Sequence, residues 1–181
     1  MMRRFIPLLI FTVFALIAAV ALLKREHPVI PDETAARALP ALPLVALDNP
    51  LQPFTATEYR GTVMLLNVFA SWCLPCLEEM GELQALAEQF PDLAIHGMVW
   101  NDSPENIHAF LGKHGNPFTH LWRDTTGQSA IALGLRGVPE TYLIDARGRI
   151  IYHLPGALDA ATREDILTPR IARALEDRNA R

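Results

Sequence analysis

The sequence predicts an α/β domain whose central sheet is covered by helices on both faces. Three observations carry this. Thr62–Ala70, TVMLLNVFA, is a nearly continuous apolar run, the mark of a strand buried on both faces. Behind it, Leu74, Leu77, Met80, Leu83, Leu86 and Phe90 recur at three- and four-residue steps, which predicts a helix with one apolar stripe. A second apolar run follows at Leu93–Trp100, LAIHGMVW. Strand, helix and strand make one right-handed βαβ unit.

The other elements extend this unit. Leu42–Asp48, LPLVALD, alternates enough to be a short strand before it. Ser103 is placed to cap a helix, with Glu105 in its first turn, that runs to about His114 and stops at Gly115. Thr141–His153 reads as two strands around a turn at Gly148. Asp159–Asp177 is helical, with Pro169 either kinking it or restarting it behind Thr168 as cap. Trp100 and Trp122 are expected in the core, and His96 and His120 as packing residues rather than ligands. The order β-α-β-α-β-β-α is the thioredoxin-like arrangement.

The ends and the composition set the context. The chain has 181 residues, half of them hydrophobic, and a net charge of −4. No basic block interleaved with aromatics occurs, so an electrostatic footprint for nucleic acid is lacking. After Arg3 and Arg4, the 19 residues Phe5–Leu23 carry no charge. As a helix they reach roughly 28 Å, close to a bilayer's hydrocarbon thickness. Ala19-Val20-Ala21 could serve as a signal-peptide cleavage site, but the apolar run continues past it through Leu22 and Leu23. An uncleaved transmembrane anchor is therefore expected over residues 1–23. Arg3 and Arg4 on one side and Lys24 and Arg25 on the other leave only a weak lean toward a cytoplasmic amino terminus. Residues 24–41, with Pro28, Pro31 and Pro40, read as a linker, and 42–181 as the globular domain.

The chain has two cysteines, Cys73 and Cys76, in SWCLPCLEE. A structural zinc site needs four ligands, and there is no second Cys-x-x-Cys. A c-type haem tether needs histidine directly after the second cysteine; position 77 is leucine. A stabilising staple is disfavoured by magnitude, because closing so short a loop restricts the unfolded chain by only about 2 kcal/mol. The redox reading is favoured, with no cofactor or metal. Cys73 stands where strand gives way to helix, so its sulfur meets unpaired amides and the positive end of the helix dipole, which stabilise a thiolate. Pro75 fits the first turn, where the amide it lacks has no partner anyway. Cys76, one turn in, is placed to resolve a mixed disulfide on Cys73. Glu79 shares the helix face of Cys76 and has two readings: a partly buried carboxylate that takes the Cys76 proton, or a solvated glutamate like Glu78. Downstream, RGVPETYLID at Arg136–Asp145 puts Val138-Pro139 at a strand entrance. In a thioredoxin-like fold that place holds a cis-proline beside the Cys-x-x-Cys, and the backbone of Val138 can pair with an extended substrate.

LLNVFASWCLPCLEE, GNPF, GVPETYLID and the opening LPLVALDNP together resemble CcmG, also called DsbE, the membrane-anchored thioredoxin-like proteins of cytochrome c maturation. The resemblance runs from about Leu42 to the end. It implies a thioredoxin-like fold with an inserted βα segment at about Leu93–His120. It implies a domain in the bacterial periplasm, anchored in the inner membrane. It further implies a reductant that keeps the Cys-x-x-Cys-His thiols of apocytochrome c reduced, directly or through a CcmH-like thiol protein, and that is re-reduced by a DsbD- or CcdA-type membrane carrier. By motif match Cys73 and Cys76 are the redox pair, Pro139 the cis-proline, Glu79 and Glu140 the acidic residues bordering the site, and Trp72 the tryptophan before the nucleophile. Thioredoxin has aspartate six residues before its first cysteine; here Asn67 stands there. A neutral amide cannot take the resolving thiol's proton, which favours Glu79 as the base. Leu74-Pro75 between the cysteines leaves the redox potential open. Two other functions fit the same motifs: a related anchored reductase with another client, and a non-catalytic scaffold for apocytochrome or haem, which would survive replacement of both cysteines.

Overall fold

A computed structural model describes residues 36–180 and Phe11. Apart from Phe11, the expected anchor at Phe5–Leu23 and most of the expected linker lie outside the described residues. Among those described, no helix is long and apolar enough to cross a membrane. The chain divides into two compact units, Met1–Asp32 and Glu33–Arg181, and every element below belongs to the second.

Among the described residues, seven strands form one mixed sheet in the order β1 (Arg37–Ala38), β7 (Arg149–Pro155), β6 (Glu140–Ile144), β3 (Met64–Phe69), β4 (Ala94–Val99), β5 (His120–Arg123), β2 (Val45–Ala46). Its centre is β3 (Met64–Phe69), buried at all six positions. It runs parallel to β4 (Ala94–Val99) and antiparallel to β6 (Glu140–Ile144). β7 (Arg149–Pro155) pairs with β6. A strand with neighbours on both edges and layers on both faces reads as a nearly continuous apolar run, which is why TVMLLNVFA was legible; its buried polar residue, Asn67, is hydrogen-bonded.

Alternate residues of β3 feed two cores. Leu65 and Phe69 face one core, beneath α1 (Leu74–Glu78), α2 (Met80–Gln89), α3 (Pro104–His114) and the C-terminal helix. Met64, Leu66 and Val68 face the other, with Trp122, Tyr142 and α4 (Gln128–Leu133). Gly97 of β4 shows how tight the first core is. An added Cβ there would lie 2.8 Å from both Leu121 and Phe69 side chains and 3.1 Å from Phe118, whose ring stacks on Phe69 at 4.7 Å.

Several expectations change. The predicted strand at Leu42–Asp48 shrinks to β2 (Val45–Ala46), because Pro40 and Pro43 offer no ladder donor while Leu42, Leu44 and Leu47 turn into the cores. Arg37 and Ala38, within the expected linker, form β1, which pairs with Ile150 and Arg149. β5 (His120–Arg123) and α4 were not foreseen, being too short for periodicity to register. The helix expected without interruption from Leu74 to Phe90 breaks at Glu79, where ψ is −10°. At the C-terminus, Asp159 caps α5 (Ala160–Thr162) through the Thr162 amide at 2.8 Å. A π-helical turn, Arg163–Leu167, then leads into α6 (Thr168–Asn179). Pro169 sits in the first turn of α6, but Leu167 and Thr168 before it are themselves helical and no side chain caps the turn, so the chain passes from the π-helical turn into α6 without the restart at Thr168.

Trp122 and His96 are buried as expected; Trp100 is only half-buried and His120 is exposed. The His96 ring accepts a 3.1 Å hydrogen bond from the Trp122 indole. Burial, with His120 nearby, pushes its pKa down to about 3, so it packs as a neutral ring.

Gly97→Ala is expected to cost about 1–3 kcal/mol by overpacking. A fall in the urea midpoint at unchanged slope would register it; an unchanged midpoint would mean that Leu121 and both phenylalanines yield freely.

Candidate active site

The β3–α1 turn delivers the cysteines. Cys73 is the N-cap of α1, extended at φ −88° and ψ 109°, and its Sγ accepts from the Cys76 amide at 3.2 Å. This is the helix-mouth placement expected from sequence, with Pro75 in the first turn. The two cysteines form a disulfide, with Cα atoms 5.3 Å apart. Cys76 is fully buried, while Cys73 keeps 5 % of its surface exposed. An incoming sulfur therefore reaches Cys73 first.

Glu79 is fully buried and stands three residues on from Cys76. The solvated reading of this residue is ruled out. Oε1 accepts from Asn67 Nδ2 and Oε2 from the Leu158 amide, both at 2.8 Å. The same Asn67 nitrogen donates to Thr141 Oγ1 at 3.0 Å. Burial raises the Glu79 pKa from 4.5 to about 7, against the lowering effect of the Leu158 and Asn67 donors. A carboxyl of that pKa can both take and return a proton near neutrality. Asn67, at the position expected, orients it.

Antiparallel pairing of Val68 with Glu140 brings the entrance of β6 alongside the cysteine turn. The Val138–Pro139 peptide bond is cis, as the resemblance implied. Pro139 is buried and Val138 half-buried. Among the described residues, the Val138 backbone makes no hydrogen bond, which leaves it available to an extended polypeptide. Glu140 is buried and anchors this loop. Oε1 accepts from the Arg136 amide at 2.8 Å, and Oε2 from Tyr142 Oη at 2.6 Å. His153 Nε2 stands 2.7 Å from Oε2. Burial pushes the Glu140 carboxyl up, but the hydrogen bonds from Tyr142, Arg136 and His153 outweigh it and hold the group below the usual range. Glu140 is thus a fixed anion, whereas Glu79 is a titrating one.

Trp72 is 56 % exposed and Leu74 64 % exposed, so apolar surface borders the disulfide. The Trp72 indole donates to the Asn101 carbonyl at 3.2 Å. Sequence reasoning missed Ser71, Asp102, Tyr142, His153 and the Leu158 amide. Tyr142 could have been found, because it lies two residues from Glu140 on the same strand face. The rest are brought in by tertiary pairing alone. Among the described residues, no group of three or more His, Cys, Asp or Glu is placed to hold a metal ion.

Fold and site together define a thiol:disulfide oxidoreductase of the thioredoxin-like class, working through its own cysteine pair without a cofactor. The AhpC/TSA family profile matches residues 36–153. The thiol:disulfide interchange protein HelX of Rhodobacter capsulatus is 33 % identical over 168 residues, 92 % of each chain. DsbE of Pseudomonas aeruginosa is 32 % identical over 99 % of this chain and 100 % of its own. CycY of Rhizobium leguminosarum is 36 % identical over 81 % of this chain and 78 % of its own. A secreted thiol-disulfide isomerase from Corynebacterium glutamicum has the same fold, with a TM-score of 0.68 at 20 % identity over 82 % of this chain and 94 % of its own. This chain belongs to the DsbE/CcmG family of thiol:disulfide interchange proteins.

Glu79 makes the oxidised protein's stability depend on pH. Its folded pKa lies above its unfolded value, so its contribution is complete below about pH 4.5 and is lost as pH rises through about 7. The span corresponds to about 3 kcal/mol. Urea unfolding across that range is expected to show this decline, and Glu79→Gln to remove it. Equal pH dependence in the two proteins would rule out a raised Glu79 pKa.

Proposed function

We propose that this chain is a membrane-tethered protein-disulfide reductase of the bacterial periplasm, serving cytochrome c maturation. The observation that carries the reading is the asymmetry of the pair: one sulfur at a helix mouth, the other fully buried, with a buried carboxyl of pKa about 7 three residues further along the chain. In the dithiol form, the Cys73 thiolate attacks a client disulfide. One client sulfur leaves as thiolate, and Cys73 holds the other in a mixed disulfide. Cys76 gives its proton to Glu79, and its thiolate attacks Cys73 Sγ. The mixed bond breaks, the client departs as a dithiol, and Cys73–Cys76 closes. Two electrons have passed to the client; Glu79 returns the Cys76 proton to one leaving client thiolate, and the other takes a proton from solvent, to which Cys73 lost its own on ionising.

The client is the Cys-x-x-Cys-His segment of apocytochrome c, or a CcmH-like thiol protein that relays to it. A DsbD- or CcdA-type membrane carrier restores the dithiol. The relatives' shared description as thiol:disulfide interchange proteins supports the chemistry. The sequence motifs support the narrower client. The apolar run Phe5–Leu23 supports an inner-membrane anchor, and a tether raises the effective concentration of the domain near membrane-bound partners.

In cells, Cys76→Ser is expected to accumulate a mixed disulfide on Cys73 that mass spectrometry identifies as apocytochrome c or its thiol partner. Cys73→Ser should trap nothing. Trapping by Cys73→Ser instead would reverse the roles, and an unrelated client would overturn the cytochrome assignment.

A further inference from the structure

The turn that carries Cys73 is fastened from outside. Ser71 and Trp72 precede the cysteine, and each is held by the loop between β4 and α3. Asp102 Oδ2 accepts from the Ser71 amide at 2.7 Å and from Ser71 Oγ at 2.6 Å. Its other oxygen accepts from the Ser103 amide at 2.8 Å and from Asn106 Nδ2 at 3.1 Å. One residue earlier, Asn101 adopts φ +50°, a left-handed conformation in which asparagine is enriched. Its carbonyl receives the Trp72 indole proton. The Trp72 ring lies 6.1 Å from that of Trp100.

We propose that Asp102 is a positioning residue for thiol–disulfide exchange, clamping the Ser71–Trp72–Cys73 turn onto the β4–α3 loop. All four of its hydrogen bonds come from donors, so both oxygens act as acceptors, the state an ionised carboxylate supplies. The turn's backbone bonds to its own neighbours are long: the Leu77 amide reaches the Cys73 carbonyl at 3.3 Å. Its internal backbone bond, from the Cys73 amide to the Ala70 carbonyl, is 3.3 Å long. When the Cys73–Cys76 disulfide opens, that covalent tie is lost and the external clamp remains. It then keeps Cys73 Sγ over the amides of α1, where the thiolate is stabilised, and keeps Trp72 as a fixed wall beside it. The hydrogen-bond partners of Asp102 are Ser71, Ser103 and Asn106, so it acts on Cys73 through Ser71.

Charge alone would act in the opposite direction. A carboxylate close to Cys73 repels a thiolate, so its removal would ease ionisation. The two effects are separable with Ser71→Ala, which weakens the clamp but leaves the carboxylate. The thiolate absorbance of the reduced full-length protein, titrated with pH, reads the outcome, with the rate toward oxidised glutathione alongside. Asp102→Ala and Ser71→Ala are both expected to shift the Cys73 titration upward, by about half a unit for Asp102→Ala, with a roughly threefold slower reaction below the pKa. The double variant should shift no further than Asp102→Ala alone. A downward shift in Asp102→Ala with Ser71→Ala unmoved would overturn the proposal in favour of simple repulsion. A lower urea midpoint with both titrations unchanged would reduce Asp102 to a structural tie and overturn it equally.

Discussion

The buried carboxyl of Glu79 joins three separate parts of the chain. It interrupts the helix that begins at Cys73, receives the amide of Asn67 from the central strand, and receives the backbone amide of Leu158 from the loop after β7. A buried carboxyl without donors would be costly, so these partners are needed wherever Glu79 is inside. Their presence fixes the helix against the sheet at the level of Cys76. The same burial that makes Glu79 a structural junction raises its pKa to about 7. Packing and proton chemistry are thus one arrangement rather than two.

Glu140 shows how differently a second buried carboxyl can behave. Tyr142, His153 and the Arg136 amide surround it with donors, and Tyr142 and His153 stack with centroids 4.3 Å apart. Hydrogen bonds there outweigh desolvation and keep the group charged. Its work is to hold the loop before Pro139 in place. The site therefore has one carboxyl suited to exchanging protons and one suited to holding backbone.

Much of this was legible in the chain. Six consecutive buried positions in β3 demand an apolar run, and the run was there to be read. Cys73 and Pro75 announced a helix start by their residue types. A neutral amide in the place of an acid left Glu79 as the candidate base, but the hydrogen bond between Asn67 and Glu79 was not foreseen. Less visible were the short elements. β1, β2 and β5 are two to four residues long and owe their conformation to neighbours rather than to local pattern. The break at Glu79 was also hidden, because the apolar spacing continues through it without a fault.

By itself, the sequence determined the layered α/β architecture, the redox pair and the place of Cys73 at a helix start. Each of these follows from residues near one another along the chain. Only the tertiary structure decided that Glu79 is buried rather than solvated, that Glu140 is caged by Tyr142 and His153, and that Asp102 reaches Ser71. The physical reason is that burial and hydrogen bonding depend on which distant segments meet. That meeting is set by strand register and sheet order, which leave no mark on any single stretch of residues.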